Sequence, residues 1–60
     1  MKLDEIVIGD HLFYLLEQGK DIVHVPVTVK SKGPKRVVVQ DSTYNMIRIV
    51  GPNKLSRRIV

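Results

Sequence analysis

Ile22-Val23-His24-Val25-Pro26-Val27-Thr28-Val29-Lys30 is the stretch that decides the fold. Val23, Val25, Val27 and Val29 fall on one side and His24, Pro26, Thr28 and Lys30 on the other. A period of two is the signature of a half-buried strand. Pro26 has no N–H to donate to a ladder, so it marks an edge, a bulge or the bend of a strongly curved strand. The composition agrees, with ten valines and six isoleucines against no alanine. β-Branched side chains lose rotamer freedom in helices and pack well on a pleated surface. Helix content is expected to be small.

Working outward, Gly9-Asp10 opens a strand over His11 to Glu17, with Leu12, Tyr14 and Leu16 on one face. Gln18-Gly19-Lys20-Asp21 is a turn, and so is Ser31-Lys32-Gly33-Pro34. Lys35 to Asp41 reads as a third strand, with Val37 and Val39 facing one way and Arg36, Val38 and Gln40 the other. Asp41-Ser42-Thr43-Tyr44-Asn45 is a polar turn. Met46 to Val50 is a fourth strand, with Ile47 and Ile49 expected as its inward pair. Gly51-Pro52-Asn53-Lys54-Leu55 is too rich in breakers for a strand and suits a single 3₁₀ turn. Ser56 to Val60 closes the pattern, and Leu3 to Ile8 is a further extended segment able to pair with it.

Short strands joined by tight turns in one domain, residues 1–60, point to an all-β fold, and closing the sheet would remove its exposed edges. Three stretches carry a family likeness: Ile8-Gly9-Asp10-His11-Leu12, the long strand Ile22 to Lys30, and Leu55 after Pro52-Asn53-Lys54. In that order they resemble the SH3-like small barrels, including Tudor- and KOW-type domains. The resemblance implies a five-stranded SH3-like small barrel with one 3₁₀ turn before the last strand. Several specialised members do not fit. Three aromatics, Phe13, Tyr14 and Tyr44, neither build a methyl-lysine cage nor line a proline-peptide groove. Gln18-Gly19-Lys20 does not supply the second glycine of a KOW pattern. Val39-Gln40-Asp41 does not match the Gln-Ile-Tyr run of plasmid-type dihydrofolate reductases. The carbon-storage-type translational repressors share only Ile8-Gly9-Asp10.

Size and composition exclude other classes. A chain of 60 residues buries only about 60% of the surface its unfolded form exposes. With no cysteine, it has no disulfide staple, zinc ribbon or thioredoxin-like chemistry. The longest apolar run, Leu12 to Leu16, is far below the roughly 20 residues of a membrane-spanning helix. No basic start leads into an apolar stretch of about 7–15 residues as in a secretory signal. The chain reads as cytoplasmic, with no membrane partner.

Charge is the strongest functional signal. Residues 1–29 carry a net −3 and residues 30–60 a net +7, which together make the formal +4. Lys30, Lys32, Lys35, Arg36, Arg48, Arg57 and Arg58 are the candidate phosphate contacts, since each such contact releases condensed counterions. Arg36 and Arg48 are expected side by side on adjacent strands, facing outward. Phe13 and Tyr44 are the candidate stacking platforms. The first functional expectation is therefore a non-catalytic module that contacts nucleic acid, DNA or RNA, in a sequence-tolerant way. The competing bland reading is a solvated, solubilising charge.

A second expectation comes from apolar residues that alternate with the presumed core: Phe13, Leu15, Val38, Met46 and Val50. An exposed apolar patch marks an interaction surface. It would serve a protein partner, a homodimer, or strand addition near Pro26, as in a small inhibitor or adaptor of the kind viruses and mobile elements encode. The alternative is that Leu3 to Ile8 folds over these residues and makes them core.

Catalysis finds little support. Asp10 and His11 are adjacent and so lie on opposite sides of a strand, which argues against a dyad. His24 points outward with Thr28 and Lys30, and no third metal ligand joins the two histidines. Ser42 and Thr43 lack a partnering base, and Gly33-Pro34 and Gly51-Pro52 lack the spacing of a phosphate-cradling loop. No enzyme activity, catalytic residue, cofactor or metal is expected.

Overall fold

A computed structural model describes residues 1–58. Among them, β1 (His11–Gln18), β2 (Asp21–Lys32), β3 (Val37–Asp41), β4 (Ile47–Val50) and β5 (Leu55–Ser56) form one antiparallel sheet. The strand order is β4-β3-β2-β1-β5. One 3₁₀ turn, Leu3–Glu5, precedes the sheet, and another, Pro52–Lys54, leads into β5. The hydrogen-bonded sheet is open, with β4 and β5 as its edges. No helix among the described residues is long and apolar enough to cross a membrane.

β2 organises the sheet because it serves two neighbours in turn. Asp21 to Thr28 pair with β1, and Val27 to Lys32 pair with β3. Gly19 makes the tight return from β1 possible: its φ of 62° sits at the first position of the Gly19-Lys20 turn, where a side chain would be strained. Pro26 pairs with Phe13 in the middle of β2. Its missing N–H leaves no gap, because the β3 ladder ends at Val27–Asp41 and Ser42 donates from N and Oγ to the Pro26 carbonyl, both at 3.1 Å. Lys30 is the extra residue of a bulge between Val29 and Ser31. A bulge bends its strand and sharpens the twist, so β2 curves where it passes from β1 to β3.

The bend wraps the sheet around one core. Leu12, Val25, Val27, Val29, Val37, Val39, Val50 and Leu55 line the inner face, and Ile6 plugs it from the N-terminal segment. Full burial of a side chain such as Ile6 or Leu12 contributes about 1.5–3 kcal/mol. The curl is measurable in one contact. The Arg48 guanidinium on β4 lies 5.2 Å from the centre of the Tyr14 ring on β1, although β2 and β3 intervene in the sheet.

Three expectations are corrected. Leu3 to Ile8 is not a strand: Leu3–Glu5 form a 3₁₀ turn, and Val7 to Asp10 form a tight turn closed by Asp10 N donating to Val7 O at 3.0 Å. That turn places Gly9 at φ 96°, where a type II turn requires a positive value. β4 faces the other way from its expected orientation. Arg48 and Val50 point inward, while Ile47 and Ile49 are 58% and 64% exposed. Val50 therefore belongs to the core and not to an outward patch. Finally, β5 comprises Leu55–Ser56; of the expected closing strand Ser56 to Val60, Arg57 and Arg58 form a bend, and Ile59 and Val60 lie outside the described residues.

Candidate nucleic-acid interface

The N-terminal segment is held by two cations acting as donors to main-chain carbonyls. Lys32 Nζ, at the end of β2, donates to Leu3 O at 3.3 Å and Ile6 O at 2.9 Å. Arg57, just beyond β5, donates from Nη2 to Glu5 O at 2.7 Å and to Asp10 Oδ2 at 3.2 Å. Gly9 N donates to Val29 O, and Val29 N to Asp10 O, each at 2.9 Å, which sets Asp10 beside the Lys30 bulge. Lys35 and Arg36 occupy the β2–β3 turn that Gly33 N closes by donating to Arg36 O at 2.8 Å. Arg58 follows Arg57, with its N–H donating to Ser56 Oγ at 3.2 Å.

These contacts gather six of the seven singled-out cations at one end of the sheet: Lys30, Lys32, Lys35, Arg36, Arg57 and Arg58. Lys2 joins them on the N-terminal segment. Counting Asp4, Glu5 and Asp10, this end holds seven cations against three carboxylates, which is the whole formal charge of +4. The remainder of the molecule carries Lys20, Arg48 and Lys54 against Glu17, Asp21 and Asp41 and is neutral. Lys30, Lys35, Arg36 and Arg58 are exposed, and their side chains make no hydrogen bond or ion pair among the described residues. The Val7 N–H, donating to Asp10 Oδ2 at 2.9 Å, holds that carboxyl below the usual carboxylate range, and Arg57 adds to the effect against a loss of hydration.

Arg48 does not belong to this end, which corrects the expected Arg36–Arg48 pair. Its Nε and Nη2 each lie 3.3 Å from Oδ2 of Asp41, whose side chain is fully buried. Oδ1 of Asp41 accepts from Thr43 N and Tyr44 N, both at 2.7 Å. Burial pushes the Asp41 carboxyl up, but these N–H groups and then Arg48 outweigh it, and the group ends below its ordinary value. An acid in the interior is tolerable only when its oxygens are satisfied in this way. Sequence reading missed Asp41 as an anchor, although two signals were present. It is the only acid in residues 30–60, and the Asp-Ser-Thr order suits a side chain that caps the following N–H groups.

The candidate stacking residues stand apart from the basic end. Tyr44 is exposed in the β3–β4 turn, at the other end of that hairpin from Arg36. Phe13 is half-buried on the outer face of β1 and meets His24 edge-on at 6.5 Å. Leu15 and Val38 are half-buried on that same outer face, and Met46 is exposed just before β4. His11 Nδ1 lies 3.3 Å from Thr28 Oγ1. Among the described residues no three of His, Asp and Glu converge as metal ligands would. No known family, curated protein or solved structure matches this chain.

Proposed function

We propose that the chain is a non-catalytic binding module that contacts the phosphate backbone of single-stranded nucleic acid through its basic end. The carrying observation is the segregation of charge: the entire formal +4 sits on segments that meet around residues 3–10, while the rest of the molecule is neutral. Of the cations singled out in the sequence, Lys30, Lys35, Arg36 and Arg58 are free to reach phosphates. Lys32 and Arg57 hold the surface on which they stand. The long bent β2 shared by two half-sheets, and the Pro52–Lys54 turn before β5, support an SH3-like small barrel as the scaffold. With the aromatic residues placed elsewhere, recognition rests on charge and is tolerant of sequence.

Fluorescence anisotropy with a random single-stranded 12-mer, as DNA and as RNA, tests the reading. Four phosphate contacts give a slope of log K against log salt of about −3 for a single strand. Lys35→Glu combined with Arg36→Glu weakens binding at least about tenfold at about 50 mM salt, with little dependence on oligonucleotide sequence. Lys20→Gln, on the neutral part of the molecule, leaves it unchanged. Equal loss from both changes, or loss from neither, would overturn the assignment of the face.

A further inference from the structure

β4 is a short edge strand that has neither a proline nor a bulge to keep another strand away, and its one charge is already paired. Edges are commonly protected by shortness, a proline, a bulge, or a charge on the strand, an inward-pointing one included. Ile47-Arg48-Ile49-Val50 contains no proline and runs in unbroken register with β3. Its single charge, Arg48, turns to the inner face and is neutralised by Asp41. Ile47 and Ile49 stand on the outer face beside Val38, which pairs with Ile49.

The backbone of the edge follows from the ladder. Asp41 N donates to Met46 O at 2.8 Å, so residues 41 and 46 form a hydrogen-bonded pair. In an antiparallel ladder such pairs alternate with non-hydrogen-bonded ones. Arg48 opposite Val39 and Val50 opposite Val37 are therefore the next bonded pairs. The N–H and C=O groups of Ile47 and Ile49 are left pointing away from β3, and none of them has another partner among the described residues. The two residues with exposed apolar side chains also carry the two free pairs of backbone groups.

We propose that β4 pairs antiparallel with β4 of a second copy of this chain, about a two-fold axis at Arg48. In that register Ile47 of one copy lies opposite Ile49 of the other, and the reverse. All four outward N–H groups and all four outward C=O groups of the two strands are then satisfied. The same pairing lays the four isoleucines side by side on one outer face, where apolar cross-strand neighbours stabilise a sheet. The two Arg48 side chains meet across the axis, where like charges would repel, but each is already paired with its own Asp41. The distribution of net charge fits a second copy in this orientation. Val50 is the β4 residue next to the basic end, since it pairs with Val37, the neighbour of Arg36. Antiparallel pairing sets Val50 of each copy beside Met46 of the other, so each cationic end meets a neutral turn and the two +4 ends point apart. The contact is a small one, at the low end of specific interfaces, and association is accordingly concentration-dependent.

Sedimentation of the full chain at about 10 µM and about 1 mM, a hundredfold range of concentration, tests the pairing. The mass is expected to double across that range for the native sequence and to stay that of a monomer for Ile49→Lys. Because Ile49 is exposed, the variant keeps its fold, which circular dichroism verifies. A native chain that remains monomeric at the higher concentration overturns the proposal. So does an Ile49→Lys chain that still dimerises. The register has its own test, made clean by the absence of native cysteine. Ile47→Cys and Ile49→Cys chains oxidised together should give a mixed disulfide, while each alone should not. Cross-linking of either variant with itself in preference to the mixture rejects the axis at Arg48.

Discussion

The two ends of the sheet use their charges in opposite ways. At the β3–β4 end, Asp41 and Arg48 cancel in the interior: the acid caps two N–H groups of the turn, and the guanidinium reaches across the curl to Tyr14. At the N-terminal end, Lys32 donates to main-chain carbonyls and Arg57 to the Glu5 carbonyl as well as to the Asp10 carboxylate, so one ion pair forms there and the other cations keep their charge. The first arrangement makes structure and leaves no field. The second makes structure and leaves the molecule's whole net charge in solvent. A count of lysines and arginines therefore says little about availability; what each donor is bonded to decides it.

The largest expected effect lies at the interior end. Asp41→Asn leaves Arg48 against an uncharged partner inside the curl, and breaking a buried pair from one side is strongly destabilising. The melting midpoint is expected to fall by about 10–20 °C, as for other severe losses in a domain this small. A fall no greater than that of an exposed control such as Glu17→Gln would erase the distinction between the two ends. Ile6→Ala, which removes the plug that the N-terminal segment inserts into the core, costs about 2–5 kcal/mol in a denaturant titration. An effect near zero would mean that this segment is not held against the sheet.

Acid sharpens the comparison because each end owns one depressed carboxyl. Asp10 and Asp41 are both held below their ordinary value in the folded state. The stability they contribute is present above the unfolded carboxylate value of about 3.9 and is lost as pH falls through their lower folded values. The melting temperature should accordingly drop below about pH 4, and Asp10→Asn should make that drop shallower while leaving the Asp41 contribution. An acid limb identical in the native chain and in Asp10→Asn would show that the Val7 and Arg57 contacts do not matter. Smaller still is Lys32→Met, which removes one charged donor from a partly exposed site and costs about 1 kcal/mol. Lys54→Met, at an exposed 3.0 Å pair with Glu17, costs at most about 0.5 kcal/mol.

Much of the sheet was legible in the sequence, and the reason is local. The valine alternation of residues 23–29, the Gly19 turn and the Pro52-Asn53-Lys54-Leu55 punctuation each fix an element without reference to anything distant. β4 failed because the local pattern of Ile47-Arg48-Ile49-Val50 points the wrong way. Apolar preference alone turns the isoleucines inward, and only Asp41, positioned by a different strand, reverses that choice. The N-terminal segment failed for a similar reason: its course depends on Lys32 and Arg57, which are 26 and 52 residues away from the carbonyls they bind. The basic half of the chain was visible as a run of charges, but its division into free cations, staples and an interior ion pair is a property of the folded chain.

The central claim is that the free cations of the N-terminal end form the binding surface. An NMR titration of labelled protein with a random single-stranded 12-mer, at about 50 mM and again at about 200 mM salt, tests it most directly. The account predicts amide shifts centred on Lys30, Lys35, Arg36 and Arg58 that fade at the higher salt, with Lys20, Tyr44 and Arg48 unmoved. Shifts centred on the β3–β4 turn or the outer face, or no shifts at the lower salt, would contradict it.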